Sequence, residues 1–298
     1  GVHAGRNINR ANMIRPWLFL FPALLALGLY LAYPVIETLR MSVTERLPGG
    51  GAKFVGLDNY SQMFGESKFW EALQNNFFWL LVVPAMSTAF GLLAAQLTDR
   101  ISWGNIAKSL IFMPMAISFV GAAVIWKLVY DTRPIDQEQI GVLNAIYLWF
   151  GGTEPNTWLT IPFWNNFFLM AVLIWIQTGF AMVILSAALR GIPEETIEAA
   201  ILDGASPFQV FFKIKVPQIM GTIVVVWTTI TIVVLKVFDI VFAMTNGQWE
   251  TQVLANYMYD KLFRANDWGV GSASAMIIML LVTPILVWNV YNARKEMR

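Results

Sequence analysis

Six segments of the 298-residue chain are long and almost free of charged residues, and they constrain the fold more than any other feature. These segments are 17–36, 77–97, 106–130, 163–189, 219–244 and 270–292. An α-helix rises 1.5 Å per residue, so about 20 residues cross the roughly 30 Å of hydrocarbon in a bilayer. Inside lipid every backbone polar group must be satisfied within the protein, which favours helices. The sequence therefore predicts an all-α integral membrane protein with six transmembrane helices in a single domain, 1–298.

The composition is that of a protein whose main solvent is lipid. The chain is 57% hydrophobic and 13% charged, with a mean hydropathy of +0.58, whereas soluble domains are about a quarter charged. A net charge of +1 provides no basic field for phosphates, so no nucleic-acid partner is expected. There is no cysteine, and the single histidine, His3, lies in a polar N-terminal tail. We therefore expect no disulfide, no thiolate or histidine metal site, and no cysteine or histidine catalytic centre.

Three smaller features refine this topology. No small-residue cleavage site follows the first apolar segment, so we expect that segment to remain as a membrane anchor. The apolar run 139–150 is too short to span and predicts an interfacial helix within a loop. We find no internal repeat and no low-complexity linker. Several spans contain proline or glycine, which membrane helices tolerate and which together indicate kinked helices around an interior path: Pro22, Pro34, Pro84, Gly91, Pro114, Gly121, Gly179 and Pro284.

The distribution of lysine and arginine predicts the orientation of the spans. Both termini and the loops on their side carry eleven basic and six acidic residues: Arg6, Arg10, Arg15, Arg100, Lys108, Arg190, Lys213, Lys215, Arg294, Lys295 and Arg298, against Asp99, Glu194, Glu195, Glu198, Asp203 and Glu296. The opposite loops, in 37–75, 131–162 and 245–269, carry seven basic and twelve acidic residues. Loops rich in lysine and arginine stay in the cytoplasm, so both termini are expected there.

The segment between the fourth and fifth spans reads as two short polar helices, 193–215. Pro193 and the two glutamates after it are typical of a helix start, because acidic residues in the first turn interact favourably with the helix dipole. Gly204 can adopt the left-handed conformation that ends a helix. Ser206 and Gln209 have the spacing of a capping box, which starts the second helix.

This helix pair has the features of a docking element. Ala199, Ala200 and Gly204 would let another surface approach closely, and Glu198 would offer that surface a charge. Pro217 is expected to end the second helix before the next span. The alternative is an amphipathic connector lying on the membrane surface, which is a common arrangement. The residues alone leave both interpretations open.

A family resemblance favours the docking element. The stretch "EAAILDGASPFQVFFKIKVPQ" resembles the EAA signature of binding-protein-dependent ABC importer permeases, and the matching residues are Glu198, Ala199, Ala200, Gly204 and Pro217, with Val216 where leucine is common. The stretches "FVGLDNY", "NNFFWLLVV", "WIQTGFAMVILSAALRGIPEE" and "VFDIVFAMTNG" are similar to the sugar-importer branch, where six spans are usual. That branch usually continues Met-Thr with Gly-Gly-Pro, whereas this chain has Asn246-Gly247-Gln248. With this departure the chain resembles an α-glucoside-like subgroup of maltose-type permeases. The other interpretation is that the departure leaves the substrate open.

The resemblance implies a type I ABC importer transmembrane domain in a bacterial cytoplasmic (inner) membrane. It implies that 193–215 are cytoplasmic coupling helices, with Glu198 paired to a basic residue in a cleft of an ATPase and Gly204 allowing the bend. The implied partners are a second permease subunit, two ATP-binding-cassette ATPases, an external solute-binding protein and a carbohydrate, moved inward by alternating access. The sequence has no G-x-x-x-x-G-K-[ST] loop. We therefore expect a permease that is not itself an enzyme and binds no cofactor, with ATP and Mg held by the partner ATPases.

Only three charged side chains lie well inside the proposed spans: Lys127, Lys236 and Asp239. Charges at membrane depth are costly and should face a cavity or a partner. Lys127 lies near the outer end of its span, where its side chain can reach the interface. Lys236 and Asp239 are three residues apart and are expected on one helix face. They either contact substrate or form a structural pair, within this chain or with the other permease subunit.

Aromatic and amide side chains near the fifth span complete the predicted substrate pathway. Sugars are usually held by an aromatic ring stacked on the sugar ring and by amide or carboxylate hydrogen bonds. Trp227, Phe238, Asn246 and Gln248 would serve this purpose beside Lys236 and Asp239. For Trp227 the alternative is packing against lipid or core.

Two other functional classes make different predictions. A self-contained secondary transporter or channel for a small polar solute should show paired broken helices or several intramembrane acids, and this chain has only Asp239. An integral membrane enzyme needs a cluster of polar catalytic groups near one membrane face, and the sequence offers none.

Overall fold

Helices dominate the computed structural model, which describes the backbone of residues 2–296 and the side chains of all of these except 2–9, Ala293 and Glu296. Of the residues used above, His3, Arg6, Glu296 and Arg298 lie outside the described side chains. In chain order the elements are α1 (Val2–Ser42), the strands β1 (Thr44–Arg46) and β2 (Ala52–Phe54), α2 (Asp58–Gly65), α3 (Ser67–Thr98), α4 (Gly104–Phe112), α5 (Phe119–Val129), α6 (Val142–Trp149), α7 (Trp164–Arg190), α8 (Glu194–Leu202), α9 (Pro207–Gln209), α10 (Val216–Gln218), α11 (Met220–Leu235), α12 (Asp239–Met244), α13 (Leu254–Tyr259) and α14 (Trp268–Glu296). The two strands form one short antiparallel hairpin in which Glu45 pairs with Lys53.

Within residues 2–296, four helices are long and apolar enough to cross a membrane, and there are up to six spans when each of two bent helix pairs counts as one. The four lie within α1, α3, α7 and α14. The all-α membrane fold predicted from the sequence is therefore confirmed. The third segment is kinked near Pro114, as its proline indicated, whereas the fifth segment, 219–244, was expected to be one helix and is broken after Leu235.

The third span bends by 107° between Gly104–Ala116 and Phe119–Val129. Proline lacks the N–H of a regular helical turn, and around Pro114 the chain narrows to a 3₁₀ turn, Met113–Ala116. Ile117 is then extended, and the Ser118 hydroxyl caps α5 by accepting from Gly121 N at 3.0 Å. A proline and a new N-cap thus end one helix and start another within a single crossing.

The close packing of α3 against α7 forms the centre of the bundle. Gly91 of α3 lies against Ala181 of α7. Gly91 follows Asn75 by sixteen residues, and Ala181 follows Asn165 by the same number, so the two helices run parallel and in register. A Cβ added to Gly91 would collide with the Ala181 methyl and lie 2.8 Å from Met182 N. A Cβ on Gly179 would lie 2.7 Å from Ile111 O, so α4 also approaches α7 closely. Glycine permits such backbone approaches in membrane helices.

The two ends of the bundle differ in the length of their loops. We call residues 99–103 and 191–219 the short-loop face, and residues 43–66, 130–163 and 245–267 the long-loop face. Helix α1 stands beside α14, and among its described side chains none before Ser42 is buried. The surface of α1 is therefore left for lipid or for another polypeptide.

Replacing Gly91 by leucine should disrupt the α3–α7 contact. The added side chain has no space, and overpacking of this kind costs about 1–3 kcal/mol. The midpoint of thermal unfolding in detergent should fall by several degrees, at about 2–4 °C per kcal/mol for a chain of this size class. Gly28→Leu in α1 is the matched control, because nothing lies within 4 Å of a Cβ at Gly28. Equal shifts in the two variants would contradict this packing.

Candidate functional site

The short-loop face carries the helix pair predicted from the sequence. Pro193 occupies the N-cap position of α8, followed by two glutamates in the first turn. At the other end Gly204 has φ +89°, its N–H donates to Ile201 O at 3.0 Å, and Ala205 N donates to Ala200 O at 3.1 Å. This is a Schellman ending, in which a glycine reverses the chain and satisfies the last carbonyls. The helix and its glycine turn thus form as the sequence indicates.

The second helix begins at the predicted capping box but does not end where expected. Gln209 N donates to Ser206 Oγ at 3.3 Å, and Ser206 N donates to Gln209 Oε1 at 2.9 Å. The prediction that Pro217 ends this helix is wrong, because the helix continues through Pro217 to Gln218. A widened π-helical turn, Val210–Lys215, precedes the proline and accommodates its ring and missing N–H. The chain then turns by 71° into α11.

The helix pair exposes large apolar side chains as well as the Glu198 carboxylate, and two of the apolar side chains, Phe208 and Phe212, line a groove beside Leu97 of α3. Glu198 and Ala199 are exposed, and Ala200 is half-buried. The exposed apolar side chains here are Ile201, Leu202, Phe208 and Phe212, of which Leu202 is 86% exposed. Large apolar side chains grouped with a carboxylate are typical of a protein-contact surface.

The buried side of the helix pair is fastened to the bundle. Phe211 is buried, and Ile192 belongs to the main hydrophobic core. Lys215 Nζ donates to Gln96 Oε1 near the end of α3 at 3.2 Å. The helix pair is therefore attached to α3 of the α3–α7 pair. Its exposed apolar side chains, Ile201, Leu202, Phe208 and Phe212, form what we call the apolar knob.

The second candidate region lies at a break in the fifth span. Helix α11 ends with Lys236 as its C-cap, and α12 starts at Asp239. The prediction that these two residues share one helix face is therefore wrong. A cation at a helix C-terminus and an anion at a helix N-terminus each interact favourably with the helix dipole, so the two charges stabilise the two helix ends separately.

A cavity of about 170 Å³ lies at this break. It is lined by Lys236, Val237, Phe238, Asp239, Ile240, Val233, Leu173 and Phe119. Phe119 is the first residue of α5, so the breaks in the third and fifth spans meet at one place. Phe238 stacks on Phe242 with a centroid distance of 5.1 Å and lies 5.2 Å from Tyr259. The site thus combines two charges with an aromatic wall.

The six predicted pathway residues do not form one cluster. Lys236, Phe238 and Asp239 line the cavity, whereas Trp227 lies farther along α11 and is 42% exposed. Asn246 and Gln248 lie in a loop on the long-loop face. Gln248 is exposed there. With its amide oxygen turned toward Arg264, Asn246 accepts from Nη1 of that residue at 2.7 Å.

The loop after α12 has an unusual backbone. Asn246, Trp249 and Glu250 have φ of 54°, 56° and 65°, and Gly247 has φ 77°. Positive φ is uncommon for a bulky residue and costs on the order of 1 kcal/mol. Thr251 and Gln252, which follow directly, are buried. Such a conformation persists only where surrounding contacts hold it.

Four asparagines supply those contacts, and we call Asn75, Asn76, Asn165 and Asn166 the asparagine clamp. Asn75 Nδ2 donates to Glu250 O and to Gln252 O, both at 2.9 Å, and Asn76 Oδ1 accepts from Leu254 N at 2.8 Å. Asn165 Nδ2 donates to Trp249 O at 2.7 Å, and Asn166 Nδ2 donates to Glu250 O at 3.2 Å. All four side chains are buried.

Sequence reasoning missed this clamp, although a signal was present. The tetrapeptide Asn-Asn-Phe-Phe occurs at 75–78 and again at 165–168, which corrects the statement that the chain has no internal repeat. The two copies lie in equal register on the parallel helices α3 and α7, with Asn75 as the ninth residue of α3 and Asn165 as the second residue of α7. A repeated pair of asparagines in two membrane spans is a signal that both pairs could bind the backbone of the same loop.

A charged cluster also ties α13 to the start of α3. Glu66 accepts from Tyr257 Oη at 2.5 Å and from Lys261 Nζ at 2.7 Å. Partial burial raises the pKa of Glu66, but the hydrogen bonds from Lys261 and Tyr257 outweigh it, and the net pKa is lowered from the ordinary value of 4.5. The carboxylate form is therefore the one that holds this junction.

Comparisons with known proteins agree on one family. The family model described as "Binding-protein-dependent transport system inner membrane component" matches residues 87–297. The chain is 67% identical over 297 residues to the alpha-glucoside transport system permease protein AglF of Rhizobium meliloti (strain 1021), covering 99% of this chain and 87% of that protein. It is 47% identical to the osmoprotective compounds uptake permease protein GgtC of Synechocystis sp., and the match covers 94% of this chain and 100% of that protein. A crystal structure of a bacterial ABC transporter that imports alginate contains a chain with the same fold, at a TM-score of 0.79, 20% identity and coverage of 99% and 100%.

Glu66→Gln should make unfolding less sensitive to acid. Because the folded-state pKa of Glu66 is lowered, its stabilisation is present above the unfolded-state pKa near 4.5 and is lost as the pH falls through the folded-state pKa. At pH 7 the variant should unfold a few degrees lower than wild type, and the gap should close as the pH is lowered below about 4.5. Thermal unfolding of the purified protein across this pH range tests the expectation. Glu138→Gln is the control, since Glu138 is exposed and forms no ion pair in the described part of the chain. A difference in unfolding temperature between wild type and Glu66→Gln that does not depend on pH would contradict the role given to Glu66.

Proposed function

The chain belongs to the family of binding-protein-dependent transport system inner membrane components, and from this premise we propose that it is the permease subunit that carries a carbohydrate through an ATP-driven importer. The family resemblance drawn from the EAA-like stretch is confirmed, and with it the membership in ABC importer permeases. The proposal concerns what this chain moves and how its parts contribute.

The observation that carries the proposal is the helix pair of the short-loop face. Its turns are fixed by the Gly204 ending and the Ser206 capping box, its inner side is bonded to α3, and its outer side exposes an apolar knob beside Glu198. A rigid, exposed knob suits insertion into a cleft of a separate ATPase, which would bind ATP and Mg. In this proposal Glu198 pairs with a basic residue of that cleft. The short-loop face is cytoplasmic, as favoured by the eleven basic against six acidic residues on the side of the membrane that carries this face and both termini.

We assign the substrate pathway to the break in the fifth span. Discontinuous membrane helices often form substrate sites, because their freed backbone groups and dipoles face a cavity. The cavity holds Lys236, Asp239 and Phe238, which together supply hydrogen bonds and an aromatic face. Its volume of about 170 Å³ is below the roughly 300 Å³ of typical small-molecule sites, so a second permease subunit is expected to complete it.

The names of the relatives support a proposal for the substrate class. One relative is named for alpha-glucosides and another for osmoprotective compounds, and a third, 30% identical, is named as a lactose transport permease of Rhizobium radiobacter. We propose a small neutral glucoside, delivered by an external solute-binding protein. Trp227, Asn246 and Gln248 lie outside the cavity, so they would act at the margins of the pathway or not at all.

A secondary transporter is the alternative function. The two broken spans are one of the features that this class requires. Its other feature, a set of intramembrane acids for ion coupling, rests on Asp239 alone. Uptake by this chain without an ATPase, driven by an ion gradient, would establish the alternative and overturn the importer proposal.

Glu198→Arg should uncouple transport without unfolding the permease. Reversing the charge places two like charges in the proposed cleft, which should lower ATP-driven uptake by the reconstituted complex more than tenfold. Glu194→Arg is the matched control, because Glu194 is an exposed acid in the same helix but at its start. Unfolding temperature should stay near wild type for both variants. Wild-type uptake by Glu198→Arg would contradict the role given to this residue.

Replacement of Lys236 by methionine should weaken transport through a change at the cavity. Removing one hydrogen-bonding charge from a site that binds substrate should raise the KM for uptake by about tenfold or more. Lys127→Met provides the comparison, since Lys127 is an exposed lysine in the last turn of α5. If both lysine variants change uptake equally, Lys236 does not belong to the pathway.

A further inference from the structure

We propose that the asparagine clamp is a positioning device for transport: it holds residues 245–253 in their strained conformation and thereby fixes the far end of α12. The inference goes beyond the proposed function and depends on it only for the transport readout. It assigns a role to the four asparagines Asn75, Asn76, Asn165 and Asn166.

The clamp binds backbone groups: Asn75, Asn165 and Asn166 donate to carbonyls, and Asn76 accepts from Leu254 N. Three amide nitrogens reach three carbonyls within a stretch of four residues, those of Trp249, Glu250 and Gln252. The Glu250 carbonyl accepts from both helices, because Asn75 of α3 and Asn166 of α7 both donate to it. A buried carbonyl that loses its donor is costly, so the conformation that presents all three is strongly selected.

The backbone shows that this conformation needs support. Trp249 and Glu250 have positive φ although neither is glycine. Both side chains point to the surface, where Trp249 is 46% exposed, so their own packing does not fix the backbone. Lys68 adds one donor at the rim, from Nζ to Gly247 O at 3.2 Å. Without the clamp, residues 249–250 would relax toward ordinary negative φ.

The clamp connects the most closely packed helices to the cavity wall. Asn75 and Asn165 lie on α3 and α7, which pack in register along their length. The held segment follows directly after α12, a helix of six residues whose other end is Asp239 at the cavity. Helix α12 packs against α5, so its position sets the distance between the two breaks. Holding one end of so short a helix therefore positions the charged end.

Site-directed labelling can test the first half of the inference, because the chain has no cysteine. A nitroxide on Gln248→Cys reports the held loop, and one on Glu154→Cys reports a different loop of the long-loop face. In Asn75→Asp and Asn166→Asp, which replace a donor by an acceptor, the label at 248 should become more mobile while the label at 154 does not. The matched control is Asn144→Asp: Asn144 is also fully buried and donates to Asp131 O at 3.1 Å and Asn156 O at 3.0 Å. This control should mobilise 154 and not 248.

Uptake by the assembled, reconstituted transporter tests the second half. Per assembled complex, the clamp variants should lose about tenfold in kcat/KM, whereas Asn144→Asp should retain it. A purely structural role would lower the amount of complex without changing kcat/KM per complex. Should the aspartate variants fail to assemble, Lys68→Gln at the exposed rim should show a smaller increase of mobility at 248 and a smaller loss of uptake.

Three results would overturn the inference. The first is an unchanged mobility of the label at 248 in Asn75→Asp and Asn166→Asp. The second is an increased mobility of that label with an unchanged kcat/KM for uptake. The third is a loss of uptake in Asn144→Asp equal to that in the clamp variants. A wild-type complex that takes up no carbohydrate would instead contradict the proposed function, and the mobility comparison would still decide whether the asparagines hold the loop.

Discussion

The in-register contact between α3 and α7 is the constraint on which the other parts depend. Lipid provides no hydrophobic force between helices, so their association rests on close packing and on hydrogen bonds. Gly91 against Ala181 brings the two backbones together, and Gly179 brings α4 to the same pair. From this frame the asparagine clamp reaches the long-loop face, and Gln96 reaches the helix pair of the short-loop face. The loop held by the clamp and the helix pair of the short-loop face are thus both attached to the same two closely packed helices.

The two broken spans are stable because their ends are satisfied locally. A helix break inside a membrane frees backbone groups that lipid cannot satisfy, so it must face protein or a polar cavity. At the third span Ser118 caps the new helix with its hydroxyl. At the fifth span Lys236 and Asp239 complement the dipoles of the two helix ends that they terminate. The charges therefore have a structural reason to be there, and a pathway that uses them would use groups already required by the fold.

Local rules predicted local structure, and they failed where the determinant was distant or conformationally rare. The Gly204 ending and the Ser206 capping box could be read from the sequence because each depends on residues within one turn. The continuation past Pro217 was missed because a π-helical turn has no sequence rule as simple as that for proline. The break at Lys236 carries neither proline nor glycine, so hydropathy predicted a continuous span. The clamp joins Asn75 to Glu250, 175 residues away in the chain, and only the repeated Asn-Asn-Phe-Phe pointed toward it.

The path between the two proposed sites is a single helix. Helix α11 starts at Met220, directly after the helix pair, and ends at Leu235, beside the cavity. Its sixteen residues span about 24 Å at 1.5 Å per residue. Helix α11 is unbroken, so under the proposed function a displacement of the helix pair would pass through the 71° turn and along this helix toward Lys236. Asp239 lies on α12, whose far end the clamp holds to the frame. A pull on the helix pair that breaks the Lys215–Gln96 hydrogen bond to α3 would therefore move Lys236 relative to Asp239, and the break between them is the place where the cavity would change shape.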